Sequence, residues 1–531
     1  MLALTPVAVL MFRFNNPDAL LVLLLTASAY ATVRALERAQ TKWIVLAGAL
    51  VGFAFLTKML QALLVVPAIA IAYGVAAPTS LRRRLTQILA GGAAMVGAAA
   101  WWVAIVELVP ASMRPYVGGS QHNSVLELIF GYNGFGRLTG NETGSVGGGG
   151  PGGAGGGGMW GATSWHRLFD AEWGGQIAWL MPAALALLAA GLWITRRASR
   201  TDWTRAALVL WGGWLVVTAL VFSYGQGIIH PYYAVALAPA IGALVGIGAV
   251  MLWQRRDDVR ARAVLAAVVV GTAVLASTLL GRSSDWHPEL RVLLLVAGLA
   301  AAGLLLAGDR FGSRVRAATI AAALVATMSA PLAYSLQTAA TPGGGAIPSA
   351  GPAVAGGFGP GARGGRRGGM PGGMQGFGPG QGGAMPAFPG AAAGRALGGP
   401  GGAGGMGGTG GLLRGSRPSD AMVALLTQNA AGYTWVAATV GANSAAGYQL
   451  ATGEPVMPLG GFNGSDPSPT LQGFKDLVAA GKIHWFIGGG DGFGASMGGS
   501  RTSSEIAAWV ADTFPAQTVG GVTVYDLTSP S

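Results

Sequence analysis

The chain has 531 residues, of which 52% are hydrophobic and only 10% charged, with 33 Lys and Arg against 21 Asp and Glu. Soluble domains carry about 25% charged residues, so this balance excludes an ordinary soluble enzyme. Cysteine is absent, which removes disulfides, thiolate metal sites and Cys nucleophiles from consideration.

In chain order, residues 1–12 lack the basic start of a signal peptide and carry Pro6; they read as the stump of a membrane span. A bilayer core takes about 20 apolar residues per helix. Ten stretches approach that length: 18–34, 43–57, 60–78, 87–107, 177–195, 206–222, 229–253, 263–281, 291–307 and 316–336. The pair within 43–78 reads as a tight hairpin around Lys58 or as a re-entrant pair.

Cationic turns stay on the cytoplasmic side. Five alternate turns hold seventeen cations: Arg34, Arg38 and Lys42; Arg82 to Arg84; Arg196, Arg197, Arg200 and Arg205; Arg255, Arg256, Arg260 and Arg262; Arg310, Arg314 and Arg316. The short turns opposite hold four: Arg13, Lys58, Arg282 and Arg291. The net charge of +12 is therefore mostly a topology signal, and no nucleic-acid partner is needed to explain it. The same alternation puts the loop 108–176 and everything after 337 outside a bacterial plasma membrane. The carboxylates Asp18, Glu107, Asp170, Glu172, Asp285 and Glu289 fall at span ends or in outer loops. Ion-coupled transporters usually carry carboxylates near the midplane, so a transporter or flippase is disfavoured.

Residues 341–410 contain 30 Gly and 9 Pro, which suits a disordered linker over 337–413. The run Gly147 to Gly158 interrupts the outer loop in the same way. From 414 to 531 the composition is globular. Helices are expected at 421–428, 471–480 and 503–514, and strands at 433–439, 483–487 and 522–527, giving a small extracytoplasmic α/β domain with parallel strand pairs. The run Gly488 to Gly494 could cradle a phosphate, but it lacks the Lys-Ser/Thr of a P-loop and reads more simply as a turn.

Three outer-face clusters could carry chemistry. Arg13-Phe14-Asn15-Asn16-Pro17-Asp18 joins the first two spans, and Asp18 is either a simple helix cap or a functional carboxylate. His230-Pro231-Tyr232-Tyr233 enters a span from outside, as an interface anchor or as a phosphate or sugar contact. The outer loop offers Gln121, His122 and Asn123 among Arg, Trp and acidic residues suited to a sugar phosphate. No H-E-x-x-H or zinc-type spacing occurs, although a divalent metal remains compatible with the carboxylates present.

The stretch from Leu4 through Arg13-Phe14-Asn15-Asn16-Pro17-Asp18 to Leu21 resembles bacterial family-39 glycosyltransferases. The resemblance continues through Phe55-Leu56-Thr57-Lys58, Gly118-Gly119-Ser120-Gln121, Phe130-Gly131-Tyr132-Asn133-Gly134, Gly175 to Leu180 and His230-Pro231-Tyr232-Tyr233. These are mannosyltransferases, similar to protein O-mannosyltransferases and to the lipid A aminoarabinose transferase. The resemblance implies an α-helical polytopic membrane protein of GT-C type, here with about eleven spans including a partial first one. It also implies a polyprenyl-phosphate sugar donor, membrane lipid around it, and a protein, lipid or glycan acceptor on the outer face. The family's principal acid lies between its first two spans. This chain resembles the family only from a later span onward, which leads to the expectation of an N-terminally truncated form lacking activity.

On this reading Asp18 is the supporting catalytic carboxylate, matching the family's second acidic position, while Arg13, Asn15, Asn16, Gln121, His122, Asn123, His230, Tyr232 and Tyr233 bind donor and sugar. The alternative is a non-catalytic membrane scaffold whose tethered α/β domain binds glycan or protein.

Overall fold

The computed structural model describes residues 1–143, 162–308, 312–343, 345–354, 415–488 and 499–529. The first helix, α1 (Pro6–Met11), is short and buried, and α2 (Asp18–Arg38) follows. Next come α3 (Thr41–Lys58), a 3-10 turn over Met59–Val65, α4 (Val66–Ala76) and α5 (Leu81–Leu108). By length and apolar composition 41–76 counts as one 36-residue segment. It is in fact a hairpin. A β-carbon on Gly52 would meet Met95 and Ala98, and one on Gly91 would meet Ile44, so α3 and α5 run parallel. The Tyr73 hydroxyl donates to Gln87 Oε1, and Gln87 Nε2 donates to Ala39 O, so the end of α4 lies level with the start of α3.

The reversal falls at Met59, whose φ is +46°. A side chain resists that region, so the turn after Lys58 is held by its surroundings. At the crossing of α3 and α5 a β-carbon on Gly48 would run into the Gly91 carbonyl; small residues here let the two backbones touch.

A loop carries α6 (Val125–Phe130), a π-helical turn at Gly131–Phe135 and α7 (Gly136–Thr139). The remaining membrane helices are α8 (Gly174–Ile177) leading into α9 (Met181–Thr195), α10 (Trp203–Tyr224), α11 (Ala238–Trp253), α12 (Val259–Leu280), α13 (Pro288–Ala307) and α14 (Ser313–Ala340). A proline at the first turn starts α4, α9, α11 and α13, where a missing N–H costs nothing. Among the described residues nine apolar segments are long enough to cross a membrane. With the hairpin's returning arm counted, they are the ten expected spans, and the chain is a multi-pass membrane protein. The stump is α1, which lies against α14, where Ser335 Oγ donates to Leu4 O.

The linker differs from expectation at its start. Helix α14 runs to Ala340, and residues 345–354 fold back as a strap instead of leaving the bundle. Gln176 Oε1 accepts from the Ala350 N–H at 3.1 Å while Gln176 Nε2 donates to Ser349 Oγ at 2.9 Å. Gly351 N–H donates to Thr338 Oγ1. The linker expectation over 355–413, the tract Gly147–Gly158 and the phosphate-cradle reading of Gly489–Gly494 lie outside the described residues.

The terminal domain is α15 (Asp420–Thr427), β1 (Trp435–Val440), α16 (Ala442–Thr452), β2 (Val456–Leu459), α17 (Leu471–Ala479), β3 (Ile483–Ile487), α18 (Thr502–Thr513), β4 (Ala516–Val519) and β5 (Val522–Asp526). The sheet order is β2-β1-β3-β5-β4. β1 pairs parallel with β2 and β3, whereas β5 pairs antiparallel with β3 and β4, so the sheet is mixed. Apolar clusters cover both faces, α15 and α16 on one and α17 and α18 on the other.

Candidate active site

Asp18 is the first residue of α2, and its N–H is taken by Asn16 Oδ1 at 2.7 Å. Lys58 is the last residue of α3. Each charge therefore stands at the helix end whose dipole favours it. The hairpin brings them together: Lys58 Nζ lies 2.6 Å from both carboxylate oxygens of Asp18, which is fully buried. The same ammonium sits 3.7 Å from the centre of the Tyr233 ring and 5.4 Å from that of Tyr232. Tyrosine faces attract a desolvated cation, so the two phenols hold Lys58 in place.

These groups form the polar end of a cavity of about 500 Å³, within the range of small-ligand sites. Its apolar lining comes from Leu56, Leu60 and Leu64 of the hairpin with Val221 and Ile229. Arg137 closes the polar end from α7. Its guanidinium donates to Ile228 O at 2.9 Å and Asn133 Oδ1 at 3.1 Å, lies 3.1 Å from Glu142, and covers the Tyr132 ring at 4.6 Å. The buried Glu142 carboxylate also accepts the Ile228 N–H. Two cations thus face a pocket with sugar-sized room and an apolar side, an arrangement suited to a phosphate joined to a lipid chain.

Of the residues singled out from sequence, Asp18, Asn16, Tyr232 and Tyr233 line this cavity together. His230 stacks on Tyr232 and meets Tyr233 edge-on, with centroids 5.1 and 5.2 Å apart. Burial, with the Arg137 and Lys58 cations adding to it, holds its imidazole well below the usual histidine range. A neutral His230 supports the two phenols without adding charge.

The other expected contacts lie elsewhere. Arg13 donates to Ala339 O at 2.8 Å and so caps α14, and Asn15 is exposed. Gln121 and His122 give their backbone N–H groups to Glu127, and the His122 ring sits 3.3 Å from the same carboxylate. Asn123 Oδ1 accepts from Val117 N–H. These three shape the loop before α6 and do not line the cavity. Lys58 and Arg137 line the cavity as well, although the sequence reading assigned neither a specific contact. The available signal was a lysine at the turn of an otherwise apolar hairpin. Among the described residues, no three His, Asp or Glu side chains converge as a metal-binding group.

A smaller cavity of about 150 Å³ lies under the strap, lined by Glu172, Gln176, Pro231, Gln337 and Thr341. Burial pushes the Glu172 carboxyl up to about 7, against Arg167 and with Asp170 adding to the rise. An ordinary glutamate ionises near 4.5. Glu172 therefore contributes stability that is complete below the unfolded value and is lost as the pH rises through the folded one. Glu172→Gln is expected to flatten the fall in melting temperature over that window, measured between about pH 4 and about pH 8.

An apolar bundle with a cation-bearing pocket at one end and an α/β domain attached fits a membrane glycosyltransferase, and comparison with known proteins supports that class. Residues 1–103 match the family "Dolichyl-phosphate-mannose-protein mannosyltransferase", and residues 422–513 match "Putative mannosyltransferase YkcB-like, C-terminal". Both ends of the chain are thus similar to mannosyltransferase families. It is similar to "Putative mannosyltransferase YkcB" of Bacillus subtilis (strain 168), with 29% identity across 96% of this chain and 75% of the relative. It is also similar to "Putative mannosyltransferase YycA" of the same organism, with 27% identity across 96% of this chain and 76% of that one. No solved structure matches the chain significantly.

Proposed function

We propose that the chain moves a hexose or pentose from a polyprenyl-phosphate donor to an acceptor on the side of the membrane opposite the arginine-rich turns. The observation that carries this reading is the placement of Lys58 and Arg137 at the polar end of a cavity whose other lining is apolar. The donor's phosphate sits between the two cations, its lipid follows the leucines of the hairpin, and its sugar lies against Tyr232 and Tyr233. Aromatic faces suit the C–H surface of a pyranose.

In the transfer, an acceptor oxygen attacks the anomeric carbon, the bond from that carbon to the phosphate oxygen breaks, and the configuration inverts. Negative charge grows on the departing phosphate, where two preplaced cations stabilise it with no reorganisation. Asp18 is the carboxylate that lines the cavity among the described residues. As the phosphate takes over Lys58, the freed Asp18 carboxylate accepts the acceptor's proton. The donor arrives already activated, so the reaction calls for no nucleotide site.

The test is transfer of radiolabel from polyprenyl-phosphate hexose or pentose in membranes containing the full chain. Label passing to an acceptor supports the reading. No transfer from any such donor, or reporter fusions that put residues 110–124 on the arginine-rich side, would overturn it.

A further inference from the structure

Among the described residues, a buried carboxylate of the terminal domain touches the membrane domain. Asp466, 4% exposed, accepts the Gly119 N–H on Oδ2 at 2.9 Å, and a β-carbon on Gly118 would lie 3.6 Å from the same oxygen. Gly119 itself has φ +82°, and a β-carbon there would sit 3.0 Å from Leu128 and 3.9 Å from the Tyr132 ring. Tyr132 in turn lies beneath the Arg137 guanidinium.

Asp466 is not on a loose loop. It follows β2 in a knot with Gly460, Gly461 and Gly464 all at positive φ, and a β-carbon on Gly461 would collide with its carboxylate. Asp466 N–H donates to Gly460 O at 3.1 Å and Gly460 N–H to Ser468 O at 3.0 Å. Ala442 N–H at the start of α16 donates to Gly461 O, while Ser500 N–H donates to Ser465 O and Ser503 Oγ to Gly464 O beside α18. Helices from both faces of the sheet therefore fix the carboxylate. Burial raises the Asp466 carboxyl above its usual range, with the Gly119 N–H opposing, so the contact is desolvated and not a passing surface touch.

We infer that the terminal domain is a fixed part of the transferase, with Asp466 a positioning residue that holds the Gly118–Gly119 loop and, through Tyr132, sets the place of Arg137. The inference rests on the transferase reading above only for its kinetic consequence. Without this contact, Gly119 N–H loses its partner, the loop gains freedom, and the Tyr132 ring that covers the guanidinium is less firmly placed.

The test uses the full chain, whose lack of cysteine makes an introduced pair unambiguous. The double variant Gly118→Cys/Asp466→Cys is expected to be bridged in membranes by a short bis-methanethiosulfonate reagent, identified by mass spectrometry. Asp466→Ala is expected to speed amide exchange over residues 125–140 and to raise KM for polyprenyl-phosphate hexose about tenfold with kcat little changed. Asp466→Asn keeps an oxygen for Gly119 N–H and is expected to stay near wild type. The bridged pair is expected to recover the low KM and slow exchange, and its reduction to lose both. Failure of the bridge to form, or unchanged exchange in Asp466→Ala, would overturn the docking. Wild-type KM in Asp466→Ala alongside an active parent would overturn the positioning role. An inactive parent with normal bridging and exchange behaviour would instead count against the transferase reading and leave the docking in place.

Discussion

On the proposed donor placement, Lys58→Met is expected to lower transfer by at least about 100-fold, because it removes one of two cations that would face the leaving phosphate. It also destabilises the fold. Asp18 is fully buried and receives both of its close contacts from Lys58, so the variant leaves an unpaired carboxylate in an apolar bundle. Breaking a buried pair from one side costs about 3–5 kcal/mol, whereas removing both partners costs far less. The double variant Asp18→Asn/Lys58→Met should therefore regain most of the lost thermal stability in detergent melts while remaining inactive. If Lys58→Met transfers sugar at the parental rate, Lys58 has no part in donor binding. If the double variant melts no higher than the single one, the two residues are not an energetic pair.

Arg137→Gln carries the second large effect. The guanidinium divides its donors among Ile228 O, Asn133 Oδ1 and Glu142, tying α7 to the segment before His230. A glutamine cannot span those partners and leaves Glu142 buried beside a single backbone donor. We expect KM for the donor to rise about tenfold or more and stability to fall by about 3 kcal/mol near neutral pH. Burial already raises the Glu142 carboxyl, and without the cation it rises further. An acid with a raised native pKa favours the folded state at low pH and weakens it as the pH climbs through that value. Arg137→Gln should accordingly melt higher at about pH 5 than at about pH 8, the reverse of a protein that loses paired carboxylates in acid. A pH-independent melting deficit would remove Glu142 from the explanation. Arg137→Lys keeps the charge without the fork and should lie between.

The spans could be read because a bilayer demands one simple property, about twenty apolar residues in a row. The hairpin at 43–78 was visible for the same reason, with Lys58 marking its turn. In the terminal domain, β3 and α17 were legible as an apolar run between turns and as an amphipathic stretch. The strand Val456–Leu459 carries Pro458, β4 is polar, and α16 is rich in Ala, Ser and Gly; none of these presents a clear period, so they went unseen. The antiparallel half of the sheet followed from pairings that composition does not encode.

At the site, Asp18, Tyr232 and Tyr233 stood out because polar and aromatic groups at a span mouth are locally unusual. Gln121, His122 and Asn123 stood out for the same reason, yet they answer to Glu127 and Val117 within their own loop. Residue type alone does not say whether a polar group turns inward to build a loop or outward to meet a ligand. The strap likewise looked like linker, because glycine and proline describe a backbone's freedom but not the Gln176 amide waiting to bind it.

By itself the sequence determined a multi-pass membrane chain with an appended α/β domain, since hydrophobic length is a local quantity summed along the chain. Tertiary structure alone decided that Lys58 meets Asp18 across forty residues, that Arg137 backs them, and that Asp466 reaches Gly119. Those are pairings of single charges at a distance. Their energies depend on separation and desolvation, and neither quantity exists until the helices have packed.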